Sequence, residues 1–175
     1  MKRSAKVALG GIFSALSLLF MLLTLFPYAT YALPALAGVA LLPVALECGT
    51  RWALGAYAVV SVLSFLVAPS MEARILFVLF FGYYPILKIL LDRLKKVLQW
   101  LLKFGVFNAA MVGGYLLLLF VLGMDQDMFV LFGVNLPLVF LLLGNVVFFI
   151  YDRALTNIVI MYRFKWRGYI ARFWR

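Results

Sequence analysis

Apolar runs about as long as a bilayer is thick dominate this chain, and its charged residues are confined to the gaps between them. The runs extend from about Val7 to Pro27, Tyr31 to Leu46, Trp52 to Ala68, Ala73 to Leu91, Trp100 to Leu122 and Met128 to Tyr151. A helix needs about 20 apolar residues to cross the hydrocarbon core. Inside lipid every backbone N–H and C=O must be satisfied within the protein, so a spanning segment is helical or part of a closed barrel. The whole chain is 67% hydrophobic and 13% charged, against about 45–50% and about 25% for soluble domains. The expected fold is therefore an all-α integral membrane protein. It has six transmembrane helices in a single bundle over residues 1–151, followed by a basic aromatic membrane-surface tail over 152–175. The first run has a basic start like that of a signal peptide, whose apolar region is only about 7–15 residues. The greater length makes it the first span.

Charge placement predicts the orientation. The net charge of +10 would suggest a nucleic-acid partner for a soluble protein, but here the charges cluster in loops. Lys and Arg favour short cytoplasmic loops. With six spans, every basic residue except Arg74 falls on one side: the N-terminus, the turn after span 2, the stretch after span 4 and the tail. Both termini are then cytoplasmic, in a multi-pass protein of the cell membrane. The tail segment Arg163-Phe164-Lys165-Trp166-Arg167 mixes ring and cation as the headgroup region of the lipid bilayer requires.

Chemistry is narrowed by what the sequence omits. There is no His, and Cys48 is the single cysteine, so imidazole catalysis, an internal disulfide and a thiolate metal cluster are all excluded. No G-x-x-x-x-G-K-[ST] occurs, so the chain has no P-loop of its own. No catalytic constellation, metal site or cofactor is expected.

Polar residues gather toward the outer side of the predicted bundle. They are Tyr28, Thr30 and Tyr31 after span 1, Glu72 and Arg74 before span 4, and Asp125, Gln126 and Asp127 before span 6. Asn135 follows about 10 Å down span 6. Tyr28, Tyr31, Glu72, Arg74, Asp125, Gln126 and Asn135 are the candidate lining of an outward-facing pocket with aromatic walls and a few convergent polar groups. Singly, each also reads as a solvated loop residue, and Glu72 and Arg74 as a local pair. Asn108 and Asn145 are placed to hydrogen-bond across spans 5 and 6. Tyr83-Tyr84-Pro85 predicts a kink in span 4, and Glu47 with Arg51 suggests a pair. In span 1, Gly10 with Ser14 and Gly11 with Ala15 place small residues four apart on one face, which lets another helix approach closely.

A single domain of this size, with six spans and the opening Lys6-Val7-Ala8-Leu9-Gly10-Gly11-Ile12-Phe13-Ser14-Ala15-Leu16, resembles the substrate-binding S component of energy-coupling-factor (ECF) transporters. The stretch Tyr151-Asp152-Arg153-Ala154-Leu155-Thr156 is also similar to the ends of uncharacterised members. The likeness covers nearly the whole chain in architecture. The family's Ala-x-x-x-Ala pattern falls at Gly11 and Ala15, with Gly in place of the first Ala. The resemblance implies capture of a vitamin-like or other small micronutrient from outside. It also implies partnership with a transmembrane T component and two ABC ATPase subunits, docked through Gly10, Gly11, Ser14 and Ala15. None of the family's substrate signatures is present. The alternative is a membrane scaffold of the cell-elongation type, similar in size and span count to MreD, in which the outer polar residues would scatter.

Overall fold

The computed structural model describes residues 3–26, 29–120, 130–131, 134–166 and 168. Eight α-helices account for most of them: α1 (Arg3–Leu22), α2 (Ala32–Ala40), α3 (Leu42–Glu47), α4 (Thr50–Val67), α5 (Met71–Leu76), α6 (Tyr84–Leu91), α7 (Lys96–Phe120) and α8 (Leu136–Met161). Among the described residues the strands β1 (Val130–Leu131) and β2 (Val134–Asn135) form one short antiparallel ribbon that pairs Val130 with Asn135.

Five segments are long and apolar enough to cross a membrane: Arg3–Leu25, Thr50–Val67, Met71–Leu91, Lys96–Leu117 and Leu141–Lys165. The second predicted span is different. Ala32–Glu47 is a shorter apolar helix pair, broken at Leu41, and reaches about 24 Å at 1.5 Å per residue, less than the ~30 Å hydrocarbon core. Pro43 lies in the first turn of α3, where its missing N–H costs nothing.

Proline also explains the fourth span. A π-helical segment, Phe77–Phe81, follows α5, and α6 then restarts with Pro85 in its first turn. The predicted kink is therefore a helix break one turn before Pro85. Tyr57 on α4 donates its hydroxyl to the Val78 carbonyl at 2.7 Å, which satisfies one acceptor of the widened turn. Gly38 of α2 packs so closely here that a Cβ would collide with the Phe81 carbonyl. At the α3–α4 turn Gly49 has φ +97°, a left-handed conformation that glycine adopts without steric cost.

The last helix departs from expectation at both ends. Val130–Leu131 and Val134–Asn135 form the ribbon instead of the start of a span, and α8 begins at Leu136. Pro137 is tolerated only in a helix's first turn, which fixes the start there. Asn135 thus belongs to β2 and not to a transmembrane helix. At the other end α8 runs ten residues beyond Tyr151, through Met161. Position 151 ends the apolar run, not the helix, and Asp152 and Leu155 just past it are buried.

Two apolar clusters hold the bundle. One joins α1 to α2, α3, α4 and α5 through Leu9, Met21, Ala37, Val44, Val60 and Ala73. The other joins α6, α7 and α8 through Phe80, Tyr84, Phe107, Phe148 and Leu155. Phe107 and Phe148 stack with ring centroids 4.8 Å apart. Beside them Asn108 and Asn145 exchange side-chain hydrogen bonds at 3.0 Å in both directions, and each also donates to the carbonyl four residues earlier. Every amide is satisfied, as the bilayer demands. The exterior is apolar: Leu66 is 79% and Val97 84% exposed, surface that lipid tails would cover.

Candidate functional site

The bundle's two ends differ in chemistry. At one end, the turn before α2 meets the α4–α5 turn around an open groove of about 420 Å³, lined by Thr24, Leu25, Thr30, Pro69, Ser70, Met71 and Glu72. Ser70 fixes the start of α5 by accepting the Ala73 N–H at 3.2 Å, an N-cap that leaves Glu72 in the first turn, where a carboxylate is favoured. Exposed Tyr31 donates to Glu72 Oε2 in a long hydrogen bond of 3.4 Å. The Glu72 charge, then burial and the hydrogen bond itself, hold the Tyr31 hydroxyl pKa above its ordinary value.

Arg74 does not join them. Its Nη1 donates to the Phe65 carbonyl and its Nη2 to the Pro69 carbonyl, both at 3.2 Å. These carbonyls lie at and just beyond the C-terminus of α4, where a cation is favoured by the helix dipole. The expected Glu72–Arg74 pair is replaced by this cap. Of the remaining candidates, Tyr28, Asp125 and Gln126 lie outside the described residues, and Asn135 is described only as a backbone position of β2. Tyr31 and Glu72 are thus the two predicted residues brought together.

On α1, Leu9, Ser17 and Met21 face inward, and Ser17 donates to the Ala37 carbonyl at 2.8 Å. Gly11 and Ala15 are exposed, and Gly10 and Ser14 are partly exposed beside them. A Cβ added at Gly10 or Gly11 meets nothing within 4 Å. Among the described residues, Gly11 and Ala15 are left exposed by the chain's own helices.

The opposite end holds a cluster that sequence reading missed. Lys88 on α6 and Lys103 on α7 are each 1% exposed. Lys88 Nζ lies 2.9 Å from Asp92 Oδ2 and 3.1 Å from Asp152 Oδ1. Lys103 Nζ lies 2.6 Å from Asp92 Oδ1 and 3.0 Å from Asp152. Tyr84 donates to Asp152 Oδ1 at 2.7 Å, and Gln99 donates to Asp92 Oδ1 at 2.6 Å. Asp152 is 2% exposed, while Asp92, in the turn after α6, is 37% exposed. Two ammonium and two carboxylate groups cancel, which is what allows four charges to be held together at low solvation. One signal was legible: Lys88 and Asp92 are four apart, the helical spacing for an ion pair. Asp152 gives no local signal, because its partners are 49 and 64 positions away along the chain.

Other contacts gather the basic residues at this end. Tyr162 donates to Glu47 at 3.5 Å, so the end of α8 meets the end of α3. Burial pushes the Cys48 thiol pKa up while the nearby Lys6 charge lowers it, so the start of α1 is there too. Arg74 is at the groove end. Among the described residues, the charge segregation read from the sequence is also a segregation in space. No protein-family model, curated protein or solved structure matches the chain.

Proposed function

We propose that this chain is the membrane-embedded substrate-capture subunit of a multi-component importer of the energy-coupling-factor type, with the basic end and both termini in the cytoplasm. In this reading the Ala32–Glu47 segment is the sixth span, short because its neighbours carry the bundle's thickness. The observation that carries the reading is the exposed small-residue face of α1. Helices associate in lipid through close packing of such faces, and Gly11 and Ala15 are exposed among the described residues. The docking partner is a T component bearing two ABC ATPases, which would supply the ATP hydrolysis that a chain without a P-loop cannot. A small vitamin-like micronutrient enters at the groove end, where Glu72 and Tyr31 offer a carboxylate and a phenol beside an apolar wall. Arg74 shapes the site by holding the α4–α5 turn.

Arg74 also favours a second reading. A capture site would turn its cation toward the ligand, whereas a scaffold of the cell-elongation type would leave the outer polar groups scattered.

Purification in mild detergent, with mass spectrometry of bound proteins and metabolites, separates the two. Recovery of a T component, two ATPases and a metabolite supports the importer. Gly11→Leu with Ala15→Leu should then lose the T component and keep the metabolite, and Glu72→Gln should do the reverse. Recovery of cell-wall or division proteins with no metabolite would select the scaffold.

A further inference from the structure

The basic end has more cations than its carboxylates can neutralise, because Asp92 and Asp152 are committed to the buried Lys88 and Lys103. Arg93 and Lys95 in the α6–α7 turn, Lys96 at the start of α7 and Arg153 on α8 are all exposed. No ion pair joins any of them to a carboxylate among the described residues. One of them, Arg153, lies on the seam between α7 and α8. Trp100 of α7 stacks on Phe149 of α8 with centroids 5.4 Å apart and planes at 24°. The Arg153 guanidinium lies over both rings, 5.7 Å from the Trp100 centroid and 5.3 Å from that of Phe149. Lys96 is four residues before Trp100 and so on the same face of α7. The surface flanking the seam is exposed and apolar, at Val97, Leu101, Val146 and Ile150.

We propose that this seam is a binding site for the headgroup of an anionic phospholipid. A guanidinium held over aromatic rings, with no carboxylate partner among the described residues, has N–H donors to offer, and its planar fork matches two phosphate oxygens. Lys96 supplies a second cation one turn away. The Trp100 ring sits at the depth where indoles partition between water and acyl chain, and the apolar flank receives the lipid tails. A soluble anion would have no use for that flank, and an acidic protein would need a site raised clear of the bilayer. The proposal rests on charge and packing at the basic end and is independent of what binds the groove.

Native mass spectrometry of the full-length protein, released from neutral detergent and titrated with phosphatidylglycerol or phosphatidylcholine of matched chains, tests it. Phosphatidylglycerol should be retained in preference to phosphatidylcholine. Lys96→Gln and Arg153→Gln should each weaken its retention roughly fivefold, the effect of one cation at a membrane surface. Arg153→Lys keeps the charge and loses the two-pronged N–H fork, so it should recover only part of the loss. Arg3→Gln removes an exposed cation on α1 and should change nothing. Equal retention of both lipids, a loss for Arg3→Gln as large as for Arg153→Gln, or displacement of the lipid by equimolar inorganic phosphate would each overturn the site. A melting temperature unchanged in the variants separates a lost contact from a lost fold.

Discussion

At the residue scale, the Lys–Asp cluster is the most sensitive point in the molecule. Asp152→Asn leaves two buried ammonium groups facing one carboxylate, and breaking a buried pair costs about 3–5 kcal/mol. The expected outcome is a large drop in melting temperature in detergent, where a surface variant such as Lys95→Gln shows none. Asp92 gives the cluster an acid limit. Burial pushes its carboxyl pKa up, but hydrogen bonds from Lys103 and Lys88 and their charges outweigh burial and hold it below its ordinary 3.8. A carboxyl lowered by folding contributes its full stability above the unfolded value and loses it as pH falls through the folded one. Melting temperature should therefore be insensitive to this group above about pH 4 and decline below it, and Asp92→Asn should remove that part of the decline. Lys88 was legible as a basic residue near a span end. That it is buried was not, because burial depends on where α7 and α8 pack.

At the scale of elements, the breaks were readable and their consequences were not. Pro43 and Pro85 each stand in the first turn of a new helix, so each helix before them had to end a few residues earlier. The π-helical segment Phe77–Phe81 gives no such signal, since it depends on Tyr57 and Gly38 approaching from α4 and α2. Gly38→Ala should force α2 away from the Phe81 carbonyl and cost about 1–3 kcal/mol, as overpacking does. Gly10→Ala, with open space around it, should be neutral or stabilise by about 0.5–1 kcal/mol. Comparable melting of the two variants would contradict the packing described for α2. The end of α8 shows why hydropathy misplaced a boundary: the apolar run stops at Tyr151, yet buried Asp152 and Leu155 continue the helix by pairing and packing, which a hydropathy run does not register.

At the scale of the whole molecule, the proposed orientation puts the groove end outside and the basic end in the cytoplasm. In a Cys48→Ala background, Met71→Cys at the groove end and Lys95→Cys at the basic end should label from opposite sides of the membrane. A membrane-impermeant maleimide should reach the first in intact cells and the second only after permeabilisation. Labelling of both from one side would refute the assignment of the two turns to opposite faces. The sequence by itself determined the helical class with its long apolar spans, the asymmetry of charge and the Asn108–Asn145 pair. Hydropathy, charge and helical spacing are local properties that a single stretch of chain carries whole. Only the tertiary structure decided that Arg74 caps α4, that α1 leaves Gly11 and Ala15 exposed and that Asp152 neutralises lysines on two other helices. Each of these depends on which surfaces meet, and the free energy of a buried charge is set by partners that lie dozens of residues away.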